Sequence, residues 1–321
     1  MPSFFSDIAN NPRRQFIDAE QVRSVWLSAE ERVLRYRGSM YWQHSRGRQY
    51  LYREHSKDQR KSLGVRSPET EQINAEFKAG KAAAEARLKQ LSAALIEQQR
   101  LNVALRVGRT PNVVISLLEQ IRRAGLQHHF MVIGTNALYA YETHVGVRFF
   151  GDETATSDID SLCDSHKRIT LLANGDGRFD KTRLIGVLRK LDSTFQIEEK
   201  ERFRAVNAHG YMIDVIERQP LSLDGDFWVA KIRNLDWLLS APKFKQVVVG
   251  SNGKMAEMIT VDPRAFTLYK VYLAQKDDRD QIKAPHDITQ AQAVYNLVQE
   301  RMPHLSFDRI HNCERGFWPL R

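Results

Sequence analysis

Apolar residues along the chain recur at helical spacing in some stretches and alternate in others, and the changes between the two divide it into elements. Beyond Ser67, the residues Ile73, Phe77, Ala84, Leu88, Leu91 and Leu95 keep a helical period. They predict one long amphipathic helix to about residue 104, with Ser67 as N-cap and Pro68 at its first position. Gly80 and Lys81 interrupt the stripe, so a support helix fits better than a sustained coiled coil. Pro111 opens a second helix with Val113, Val114, Leu117, Leu118 and Ile121 as its buried set, stopped at Gly125. A third spans 181–191 with Leu184, Ile185, Leu188 and Leu191. Asp262-Pro263 caps a fourth that is apolar on a broad face, and a last helix runs from about residue 286 to 301.

Between these helices the pattern is extended. Residues 34–42 and 48–53 read as two short strands joined by Ser45-Arg46-Gly47, and 130–133 as a wholly apolar strand. Residues 195–197, 203–206 and 211–216 alternate as an antiparallel set with His209-Gly210 as a turn. Residues 245–249 and 255–261 form a hairpin around Ser251-Asn252-Gly253. Helices mixed with such a sheet predict an α+β fold. Three parts follow: 1–105, a basic hairpin and long helix; 106–261, the central domain; and 262–321, a C-terminal helical region.

Composition narrows the class. In 321 residues, 42% are apolar and 27% charged, as in a globular protein. The first residues lack a basic segment followed by an apolar run, and no stretch approaches the length of a membrane span, so no membrane is expected and cytoplasm is the expected compartment. Cys163 and Cys313 are far apart and lack zinc-type spacing. His128-His129 and His286 likewise join no ligand set. The net charge of +9 favours an anionic partner: a nucleoside triphosphate, RNA or DNA. Between residues 44 and 66, Arg46, Arg48, Arg53, Lys57, Arg60, Lys61 and Arg66 face only Glu54 and Asp58. This is either a solvated basic hairpin or a nucleic-acid contact. Tyr41, Trp42, Tyr50 and Tyr52 are interleaved with it, and they either stack bases or form the packed face of a small sheet.

Three short motifs carry candidate chemistry. Gly134-Thr135 ends the apolar strand and precedes a helix over 136–143, so backbone N–H groups and a helix N-terminus meet at a point suited to phosphate. Asp158 and Asp160, at i and i+2 of an extended stretch, put two carboxylates on one face, as oxygen ligands for Mg²⁺ or Mn²⁺. Asp214 is an acid embedded in an apolar strand, where a charge needs a partner.

In that order and context, Gly134-Thr135, Asp158/Asp160 and Asp214 resemble the polymerase-β-type nucleotidyltransferase superfamily. The closer likeness, over residues 130–290, is to its minimal bacterial members, which include the abortive-infection type nucleotidyltransferase toxins. The resemblance implies a mixed sheet flanked by helices. It also implies a nucleoside triphosphate as substrate and transfer of its nucleoside monophosphate to a hydroxyl on RNA, such as a tRNA 3′ end, or on protein. Asp158 and Asp160 would then hold two divalent ions, Asp214 would complete one of them, and Gly134 and Thr135 would cradle the outer phosphates. Lys283-x-x-x-Asp287 matches a lysine and acid that contact the triphosphate in those families, and Lys270, inside an apolar helix, is expected to point into the cleft. RNA would approach through the basic N-terminal hairpin. Residues 143–157 depart from the pattern as a longer insertion, with 146–152 read as a loop or short hairpin. Two alternatives stand beside this reading. One is a non-catalytic nucleotide- or nucleic-acid-binding regulator on the same fold, and the other a small-molecule (antibiotic) nucleotidyltransferase.

Overall fold

The computed structural model describes residues 4–56, 59–150, 168–173, 181–199, 204–217, 230–231, 238, 241–277, 279–281 and 283–307. The chain divides into two compact units, Arg14–Leu105 and, together, Met1–Arg13 with Arg106–Arg321. It starts with β1 (Phe5–Asp7) and runs through α1 (Asn10–Arg35), β2 (Ser39–Ser45), β3 (Arg48–Ser56), β4 (Gln59–Val65) and α2 (Pro68–Ala104).

In the smaller unit α1 and α2 lie antiparallel. Gln15 Nε2 donates to Gln98 Oε1 at 2.8 Å and to Asn102 Oδ1 at 3.2 Å, and Trp26 Nε1 donates to Ser92 Oγ at 3.0 Å. Just past α1, the Tyr36 ring rests on Phe77 and on Gly80, where a Cβ would lie 2.4 Å from the tyrosine hydroxyl. The interruption in the α2 stripe is therefore a seat for an aromatic ring. A capping box starts α2: Thr70 N donates to Ser67 Oγ, and Ser67 N to Thr70 Oγ1 at 2.8 Å. Ile73, expected in the buried stripe, is 42% exposed.

β2, β3 and β4 form a three-stranded antiparallel sheet. Arg46 and Gly47 both take positive φ, so β2 and β3 are joined by a two-residue turn of the mirror-image kind that suits strand twist. The expected strand over 34–42 is corrected: the helix runs to Arg35 and the strand begins at Ser39. Neither α1 nor β4 was expected from the pattern.

The larger unit is built on a mixed sheet. Its strands are β5 (Phe130–Ile133), β7 (Arg168–Ala173), β8 (Gln196–Ile197), β9 (Arg204–Val206), β10 (Met212–Glu217), β11 (Ala230–Lys231), β12 (Lys243–Val249) and β13 (Met255–Val261). Their order is β12-β13-β5-β7-β10-β9-β8, with β11 beside β10. The helices are α3 (Asn112–Arg123), α4 (Leu138–Val145), α5 (Lys181–Leu191), α6 (Pro263–Ala274) and α7 (Lys283–Arg301). The fold is α+β with a mixed sheet, as the pattern predicted. Alternation along the strands gives each face its own core. Val132, Ile169, Leu171, Ile213 and Val215 meet α3 and α5 on one side. Met131, Ile133, Leu172, Ile259 and Val261 meet α4, α6 and α7 on the other.

The second core reaches the N-terminus. β1 pairs antiparallel with β6 (Val147–Phe149), and Phe5 packs edge-on to Phe149 within that core. Among the described residues, no helix is long and apolar enough to cross a membrane.

Candidate functional site

All four residues of β5 are buried, and the strand stops because Gly134 turns the chain with φ 74° and ψ −158°. That conformation favours glycine. A short 3-10 turn, Thr135–Ala137, leads into α4, with Ala137 N donating to Gly134 O at 3.0 Å. The junction has the glycine–hydroxyl arrangement that the motif predicted, at the start of a helix. Thr135 Oγ1 accepts a hydrogen bond of 2.9 Å from Gln290 Nε2 on α7.

Register ties this junction to Asp214. Ile133 pairs with Thr170 on β7, and Thr170 pairs with Asp214 on β10, so one row across the sheet runs from the residue before Gly134 to the acid. Directly opposed residues share a face. Asp214 is thus on the face covered by α4, α6 and α7, while its neighbours Ile213 and Val215 enter the opposite core. The carboxylate is 1% exposed and is held by Arg204, its cross-strand partner on β9, whose Nε donates to Oδ1 at 2.8 Å. Arg204 also reaches Glu198 Oε2 at 3.4 Å.

A second charged cluster lies over the same face. Asp287, on α7 and 2% exposed, accepts from Lys270 Nζ on α6 at 2.6 Å and from Arg279 Nε at 2.8 Å. Two cations against one carboxylate leave one positive charge in excess. Burial pushes the Lys270 ammonium below its ordinary value, while the charge of Asp287 and its hydrogen bond pull it back up. Asp287 and Gln290 are three residues apart on α7, hence on one helix face. The cluster is therefore linked to Thr135 through Gln290.

Of the residues singled out in the sequence, Gly134, Thr135, Asp214, Lys270 and Asp287 are all drawn to this face of the sheet. Lys283 is not: its side chain is 51% exposed and its ammonium lies 3.8 Å from Asp280, while Lys270 and Arg279 occupy Asp287. Asp158 and Asp160 lie outside the described residues, as does residue 151 onward of the insertion. Residues 147–149 of that insertion form β6. No cluster of three or more His, Cys, Asp or Glu suited to a metal occurs among the described residues.

A family model described as nucleotidyltransferase matches residues 112–314, from the start of α3 to beyond α7. The chain belongs to this nucleotidyltransferase family. It is accordingly a transferase of nucleotidyl groups, and the matched span contains the whole of the sheet face just described. No curated protein and no solved structure matches the chain. Two residues bonded to the predicted ones were not found from sequence: Gln290, which donates to Thr135, and Arg204, which donates to Asp214. Nothing local marks Gln290 as the partner of Thr135 or Arg204 as the partner of Asp214.

Proposed function

We propose that this nucleotidyltransferase moves a nucleoside monophosphate from a nucleoside triphosphate to an acceptor hydroxyl, releasing pyrophosphate. Divalent metal ions, Mg²⁺ or Mn²⁺, assist the transfer, and RNA supplies the acceptor hydroxyl. The observation that carries the proposal is the row Ile133–Thr170–Asp214, which sets the Gly134-Thr135 turn and a buried carboxylate on one sheet face. Asp158, Asp160 and Asp214 form the ligand set. Carboxylates are hard oxygen donors that suit these ions, which when bound would neutralise charge on the reacting phosphate and its leaving group. Arg204 keeps the Asp214 carboxylate fixed in its strand.

The triphosphate tail is assigned to Gly134, Thr135, Lys270 and Asp287, and Lys283, exposed and set against Asp280, is left out of it. Support comes from the excess positive charge of the Lys270/Arg279/Asp287 cluster and from its link to Thr135 through Gln290. Asp287 orients the two cations, and Gln290 orients the threonine hydroxyl. The choice of RNA rests on the net charge of +9 and on the basic stretch 44–66, since a cationic small-molecule acceptor would call for acids instead. The likeness to minimal bacterial toxins of the polymerase-β type points the same way, towards a tRNA 3′ end.

The test is release of pyrophosphate and incorporation of α-labelled triphosphate, one base at a time, with a host-cell extract as acceptor and nuclease or protease treatment of the labelled product. Asp214→Asn, Asp158→Asn and Asp160→Asn are each expected to lower transfer by about 10²-fold or more. Thermal unfolding of each variant checks that it is folded at the assay temperature, since Asp214→Asn also removes the buried charge that Arg204 meets. Nuclease-sensitive label identifies RNA. If the wild type releases no pyrophosphate from any triphosphate with RNA, protein or small-molecule acceptors, the catalytic reading fails and the regulator reading replaces it.

A further inference from the structure

The three-stranded sheet of the smaller unit has two unlike faces. Leu51 and Arg53 of β3 point to α2, where Leu51 is fully buried and the Arg53 guanidinium sits 4.3 Å over the Phe77 ring. The alternate residues, Tyr50 and Tyr52, point the other way, and both are half-exposed. Tyr41 lies directly opposite Tyr52, their rings stacked with centroids 6.3 Å apart and 26° between planes. Gln43 lies opposite Tyr50. Arg60 of β4 lays its guanidinium 3.7 Å over the Tyr52 ring and 5.7 Å from that of Tyr41, and donates to Gln43. Arg46 and Arg48 are exposed around this face, as is Arg60 itself. An aromatic set that served only as core would be covered, as Leu51 is.

We infer that this outer face, built on Tyr41, Tyr50, Tyr52 and Arg60, is a stacking platform for single-stranded RNA. The inference deepens the RNA reading of the acceptor and rests on it. Half-exposed tyrosine rings and a planar guanidinium offer π-faces to bases, and a base presents its own face only when unpaired. The surrounding arginines meet the phosphates, while Gln43 supplies an amide for base edges. Duplexes, whose bases are stacked inside, gain only the charge term.

The intact 321-residue chain is titrated into a fluorescently labelled 12-nucleotide RNA of mixed sequence, without triphosphate or divalent ion, and binding is read by anisotropy. Tyr41→Ala combined with Tyr52→Ala is expected to weaken binding about 10- to 100-fold. The corresponding pair of Tyr→Phe changes keeps the rings and is expected to bind as wild type. Arg60→Gln is expected to reduce the slope of log affinity against log salt by about 0.7. Thermal melts of each variant, with Tyr→Phe as the folded standard, separate loss of the rings from loss of the fold.

The platform is overturned if the alanine pair, folded, binds like wild type, or if duplex RNA binds as tightly as the single strand. It is also overturned if the substitutions change the oligomeric state and leave RNA affinity alone, which would make the face a contact with another protein copy. Asp214→Asn is expected to bind RNA unchanged while losing transfer. A failed transfer assay with an intact tyrosine effect therefore counts against the catalytic reading alone.

Discussion

Glu142 shows how a single buried charge can hold several segments of the larger unit. It is 5% exposed on α4, accepts from Phe149 N at 2.7 Å and is paired with Arg109, which in turn donates to Phe149 O at 2.8 Å. Burial pushes its carboxyl above the usual range, and Arg109 pulls it partly back. A carboxyl raised on folding contributes stability that is fully present below its unfolded value, near 4.5, and is lost as pH rises through the folded value. Glu142→Gln removes this titration while keeping an acceptor for Phe149. The melting temperature of wild type minus that of Glu142→Gln is thus expected to fall as pH is raised from below 4.5 towards neutrality, read by thermal scans across that range. A difference that rises with pH would show that the Arg109 pair outweighs burial.

Among the elements, the join between α1 and β2 leaves no room for a side chain. Gly38 has φ 90°, and a Cβ there would stand 2.0 Å from the Glu54 carbonyl oxygen, a backbone atom of the adjacent strand. The Gly38 carbonyl also accepts from Lys81 Nζ of α2 at 2.9 Å. Gly38→Ala is expected to cost about 2 kcal/mol or more, seen as a lower denaturant midpoint. Elements whose burial is carried by apolar side chains were legible in the sequence: α3, α5 and β5 follow their hydrophobic spacing nearly residue for residue. α1 was not, because its buried positions are Gln15, Ala19, Arg23 and Ala29, a stripe of polar and small residues with no hydrophobic signature. β4 was hidden for a related reason, its first four residues being polar and exposed. At the site, Gly134-Thr135 and Asp214 stand out by local contrast. Gln290 does not, because its hydrogen bond is to a residue 155 positions away and only the fold reveals it.

At the scale of the molecule, the smaller unit is an excursion from the larger one. The chain departs after Arg13 and returns at Arg106. The two ends of the excursion lie together, since Gln15 bonds to Asn102 at 3.2 Å. Joining Arg13 to Arg106 by a short Gly-Ser linker should therefore leave a folded, triphosphate-binding body whose affinity for single-stranded RNA is much reduced. Circular dichroism, a titration of labelled triphosphate and the RNA anisotropy assay check this. Phe5→Ala, by contrast, should destabilise the larger unit by about 3–5 kcal/mol, because that ring fills its core from far away in sequence.

The pairing of Phe5 with Phe149 also sets a timetable for synthesis. The first strand leaves the ribosome early but has no partner until residues 147–149 emerge, long after the helical hairpin and its sheet have all their own residues available. The intervening unit can fold first and bring residues 13 and 106 together. What is left for β1 is then a short closure in place of one spanning some hundred and forty residues.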